Sequence, residues 1–165
     1  MDNKSLESLK NTYNCHELEG LDGVYPVPVG AICSMLGIKA NFSKMQNNES
    51  GKICKEDEQY SIFVNEKDHP LRQRFTVAHE LGHYCLHKDT LDTNGEILER
   101  NDYSSKGIDE KEIQANAFAA ELLMPQIYFL EKYSELKLIK DLASYFLVSE
   151  LAINTRLINL GKMTA

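Results

Sequence analysis

The sequence predicts one α+β domain, with its strands early and its helices late. Three observations carry that expectation. The 165-residue chain is long enough for one compact domain and short for two of ordinary size. Alternating, aromatic and β-branched residues occupy roughly 38–65, the pattern of two or three antiparallel strands joined by short turns. From Arg72 onward the apolar period becomes helical.

Each element has a local reason. Residues 4–13 can form a short helix, and 14–26 are irregular, punctuated by Gly20, Gly23 and Pro26. The segment 27–36 reads as a helix, with Pro28 in its first turn and Gly37 just past its end. IKANFSKM (38–45) alternates as a strand does, NNESGKI (47–53) has turn chemistry before a second strand, and YSIFVN (60–65) is the clearest strand. RQRFTVAHELGHYCLH (72–87) places Phe75, Ala78, Leu81, Gly82, Cys85 and Leu86 at helical spacings. Residues 89–108 are polar, carry the turn signal Asn94-Gly95, and read as a surface loop. EKEIQANAFAAELLMP (110–125) is a strong helix stopped by Pro125. Two short helices follow, near 136–146 and 149–160. The expected organisation is a main domain over 1–131 and a helical extension over 132–165 packed on it.

Composition excludes some functions. The net charge of −7 is a poor basis for non-specific binding to nucleic acid or an acidic membrane. The N-terminal residues lack the apolar core of a secretory signal, and no apolar stretch approaches a bilayer span, so a cytoplasmic protein with no membrane partner is expected. Cys15, Cys33, Cys54 and Cys85 form no CxxC pair and read as reduced, mostly buried thiols.

The sharpest chemical feature is His79-Glu80-Leu81-Gly82-His83, an HExxH pattern on an expected helix. Residues four apart share a helix face, so both imidazoles can reach one ion. Glu80 can then stand beside a metal-bound water as general base. A catalytic zinc site needs a third protein ligand and an open fourth position. Glu112, near the start of the next helix, is the candidate, with Asn116 one turn on as a partner that could orient a ligand. A first-turn glutamate is also what the helix dipole favours, so spacing alone leaves Glu112 open. His87 competes as third ligand, but it lies about 80° round a regular helix from His79. It reads more simply as a cap at the helix C-terminus.

At this point the residues resemble a known family. Arg72-Gln-Arg-Phe-Thr-Val-Ala-His79-Glu80-Leu-Gly-His83, followed by Leu86-His87, is similar to the active-site helix of the ImmA/IrrE family of metallopeptidases. Glu112-Ile-Gln-Ala-Asn116 through Leu122-Leu-Met-Pro125 resembles its second signature. Val27-Pro-Val29 through Ile38 and Tyr60–Asn65 resemble its helix-then-strand entry, so the likeness covers about residues 26–125. The resemblance implies a minimal zincin-like fold, a Zn²⁺ cofactor and endopeptidase activity. Its implied substrate is a helix-turn-helix transcriptional repressor encoded nearby in a phage, mobile-element or stress-response locus. By position it makes His79, His83 and Glu112 the ligands and Glu80 the base. The oxyanion formed during hydrolysis needs a donor, and Tyr103, Tyr84, His87 and Tyr128 all qualify.

The last 34 residues also read like a helix-turn-helix, with Val148-Ser149 at the turn and Arg156 on the second helix. Residues 132–165 carry five basic and three acidic side chains, a net of +2 on a body of −9. So few basic groups contact few phosphates, and docking onto the domain or a protein substrate is expected rather than DNA binding. The competing function is a non-proteolytic docking module, an antirepressor or toxin–antitoxin component. A pure docking module has no need of a base beside two ligands. A structural zinc site would fill all four positions.

Overall fold

Ile62 and Val64 have no exposed surface, and the strand that carries them lies at the centre of the sheet. The structure, a computed structural model, describes residues 23–46, 49–95 and 110–164. The expected helix at 4–13, Cys15 and Tyr103 lie outside the described residues. Strands β1 (Lys39–Ser43), β2 (Gly51–Glu56) and β3 (Gln59–Asn65) form a sheet in the order β1-β3-β2. β2 and β3 are an antiparallel hairpin closed at Asp57-Glu58, with Asp57 in the left-handed region at φ 52°. β1 pairs with β3 in parallel, from Lys39 opposite Ser61 to Ser43 opposite Asn65. The sheet is therefore mixed, a correction to the expected antiparallel one. Its physical reason is the apolar content of β3, which claims the middle and sends the connection from β1 past it to β2.

The helix α1 (Val29–Met35) precedes the sheet and buries Val29, Ile32 and Cys33. Burial pushes the Cys33 thiol up to about 11. Cys33 and Cys54 are buried and Cys85 is partly so. Helix α2 (Pro70–Asn94) begins with Pro70, whose missing N–H costs nothing there, and the His69 side chain accepts from the Leu71 N–H. It runs past its expected end, through a break at His87 with φ −128° and ψ 27°, to a left-handed Gly95 at φ 79°. Residues 89–94 are thus helical rather than loop. Leu91, fully buried, anchors this turn while its polar neighbours stay exposed. Helix α3 (Glu110–Leu123) follows.

Contacts divide the chain into two compact units, Val29–Ala119 and Ala120–Ala165 with the chain up to Pro28. The second unit contains α4 (Gln126–Leu136), α5 (Ile139–Phe146) and α6 (Glu150–Asn159). Its core collects Phe129, Leu142, Phe146, Ile153 and Leu157, with the Tyr25 ring 5.5 Å from that of Phe146. Helix α4 was not anticipated. Pro125 stops α3, but it also serves as the N-cap position of α4. α5 and α6 match the two short helices expected, joined through Leu147 in the left-handed region and capped by Ser149, whose hydroxyl accepts from the Ala152 N–H. No helix among the described residues is long and apolar enough to cross a membrane.

Candidate metal centre

His79 and His83 stand four positions apart on one helix, and the helical repeat sets their rings side by side, 4.7 Å apart and nearly perpendicular. Their Nε2 atoms approach to 3.0 Å. Glu112, from the first turn of α3, brings one carboxylate oxygen to 3.3 Å from His79 Nε2 and the other to 3.1 Å from His83 Nε2. Among the described residues this is the group of His, Cys, Asp or Glu side chains able to hold a metal ion. Ligand atoms about 2.0–2.1 Å from a tetrahedral zinc stand about 3.4 Å from one another, so the spacing fits. His79 Nδ1 lies 3.1 Å from the Asn116 Oδ1, so the neutral ring that donates there would turn an Nε2 lone pair toward an ion. Two nitrogens and a carboxylate turned on one point are a donor set suited to zinc.

The electrostatics agree. Burial works against a charged His79, but the Glu112 hydrogen bond and the charges of Glu80 and Glu112 outweigh it and raise its pKa. Hydrogen bonds from His79 and His83 hold the Glu112 carboxyl well below the usual carboxylate range. His83 is almost wholly buried, and its Nδ1 has no hydrogen-bond partner among the described residues.

Two glycines make this geometry possible, and neither was singled out as a site residue from the sequence. A side chain at Gly82 would stand 3.1 Å from Ala115 Cα and 3.2 Å from Phe118 Cβ, so its absence lets α3 lie directly against α2. A Cβ at Gly51 would sit 2.3 Å from Thr76 Cγ2, 2.8 Å from the Phe63 carbonyl and 3.8 Å from Glu80 Oε1. The signal for Gly82 was present: a glycine inside a strong helical pattern implies a close approach. Gly82→Val should push α3 from α2. Overpacking of this kind costs about 1–3 kcal/mol. Displacing Glu112 should weaken metal binding at least about tenfold by chelator competition, since affinity depends on ligand geometry held within about 0.5 Å.

Glu80 is buried beside the two histidines, on the flank of α2 that faces β2. Tyr84 packs edge-on to Tyr60 at 5.0 Å. Tyr128 belongs to the C-terminal unit, its ring 5.3 Å from Tyr25. His87 neither joins the ligand cluster nor ends the helix. It sits at the break in α2, and its Nε2 lies 3.3 Å from the Lys111 carbonyl. Burial lowers its pKa, so the neutral ring donates there.

The IrrE N-terminal-like domain model, a peptidase family, matches residues 33–157. The chain belongs to the ImmA/IrrE family. This ImmA/IrrE member is 32% identical to metallopeptidase ImmA of Bacillus subtilis over 117 residues, 67% of this chain and 62% of that protein. Its fold is similar to a Mycobacterium tuberculosis transcriptional regulator, with a TM-score of 0.55 at 18% identity over 78% of this chain and 39% of that one. The chain therefore spans less than two thirds of either relative's length.

Proposed function

We propose that this ImmA/IrrE-family chain is a cytoplasmic zinc endopeptidase that cleaves a helix-turn-helix transcriptional repressor encoded nearby. Its action would relieve repression in a phage, mobile-element or stress-response locus. The observation that carries the reading is the convergence of His79, His83 and Glu112 on one point with Glu80 beside it. His79, His83 and Glu112 would hold the ion, and Asn116 would fix the His79 ring. When bound, zinc polarises a carbonyl and makes water a nucleophile near neutral pH. Glu80 takes the proton from the attacking water and delivers it to the leaving amine. Its burial keeps competing water away from that carboxylate. The family supports a peptidase; the repressor as substrate comes from the resemblance of the two helical signatures.

The test is incubation with the product of the adjacent regulatory gene, with and without chelator, followed by mass spectrometry of fragments. Discrete cleavage that stops with chelator and returns with zinc is expected. A stable complex that stays uncleaved by metal-loaded protein would overturn the enzyme and make the chain a docking module.

A further inference from the structure

Glu112 is the third residue of α3, in the first turn, where backbone hydrogen bonding is thinnest and helices fray. The other two ligands sit mid-helix in α2. The geometry of the centre therefore depends on what fixes the start of α3. His87 meets that start directly: its Nε2 lies 3.3 Å from the carbonyl of Lys111, the residue before Glu112. The imidazole is 8% exposed, and its ring is 5.5 Å from that of His83. The break at His87 takes its backbone to φ −128° and ψ 27°, off the regular path that α2 follows at the ligands. Lys111 is held a second time, its Nζ donating to Thr90 Oγ1 at 3.0 Å from the stretch of α2 beyond the break.

We infer that His87 is a positioning residue, whose buried N–H holds the Lys111 carbonyl and so locks Glu112 in place beside His79 and His83. The inference rests on the metal-centre reading, and it makes a distinct claim: α2 supplies two ligands and also the clamp for the third. The carbonyl has a second lone pair, so the clamp adds to the helical bond that Lys111 accepts within α3. A ligand held within about 0.5 Å keeps its affinity, whereas one on a fraying turn must be ordered each time the ion binds.

The experiment has two arms on the full chain. In metal-free protein, amide hydrogen exchange at Gln114, Ala115 and Asn116 should be at least about tenfold faster in His87→Ala than in the parent, with exchange in β3 unchanged. With metal, zinc affinity by chelator competition should fall about ten- to a hundredfold, the range typical of lost supporting contacts. The visible absorption of the cobalt-substituted protein should also change. His87→Gln, which can donate an N–H to the same carbonyl, should recover most of both effects, and it serves as the test variant if His87→Ala does not fold. Unchanged exchange in α3 with unchanged zinc affinity would overturn the inference, as would a Gln variant as impaired as the Ala variant. A parent protein that binds no zinc would overturn the metal-centre reading, while the exchange arm still decides whether His87 clamps α3.

Discussion

Glu80→Gln should keep its zinc and lose hydrolysis. Glutamine has the same length and branching as glutamate but cannot accept the proton. Removal of a general base costs about 10²–10⁴-fold in rate, and kcat should fall by that factor with metal content unchanged. The contrast with the ligands makes the prediction specific. His79→Ala with His83→Ala removes two of three donors and should abolish both zinc and activity. Glu80 is buried and contributes a charge that favours the cationic form of His79, so the Gln variant loses some attraction for a cation. That loss is a factor of a few in affinity, not the loss of the site. Metal analysis and fragment appearance on the same preparations separate the two outcomes. A Gln variant within about threefold of the parent rate would place the base elsewhere, because a proton-transfer group of this kind contributes far more than that.

The site was more legible than the path of the chain around it. His79 and His83 were readable because one helix carries both, and helical geometry alone makes them neighbours. Glu112 was readable only as the start of a strong helix. Nothing in its spacing decided against a glutamate that merely favours the helix dipole. The sheet was harder. Alternation tells which face a residue takes, not which strand lies beside it. The fully buried Ile62 and Val64, against the exposed Lys39, Ala40 and Phe42, decide why β3 took the centre and β1 an edge. Residues 89–94 looked like loop because Leu91 is their one apolar side chain, yet one buried leucine at the right turn sufficed. Pro125 was read as a stop, which it is for α3; proline equally suits the start of a helix, and α4 was hidden behind that second use. His87 shows the limit most clearly. Regular helical rotation made it a cap, and the break that turns it to another purpose depends on α3, a partner no local pattern names.

In the C-terminal unit, Glu121→Ala should be among the most destabilising single changes. Arg156 on α6 is 9% exposed, ion-paired through Nη2 to Glu121 of α3, and donates from Nε to the Met124 carbonyl at 3.1 Å. Removing the carboxylate leaves a buried guanidinium whose remaining partner among the described residues is the Met124 carbonyl. Breaking one side of a buried pair costs about 3–5 kcal/mol, a large share of the about 5–15 kcal/mol that separates folded from unfolded domains. The reverse change, Arg156→Ala, should cost less on the electrostatic side, because the Glu121 side chain is 17% exposed against 10% for Arg156 and can recruit water more readily. The discriminating variant replaces both at once, Glu121→Leu with Arg156→Met. If the pair's cost lies in desolvation, the double variant should unfold at a urea midpoint near that of the parent or above it, though each single variant falls well below. A double variant as unstable as the sum of its singles would mean that the pair's own attraction, and not the penalty of an orphaned charge, holds α6 to the end of α3.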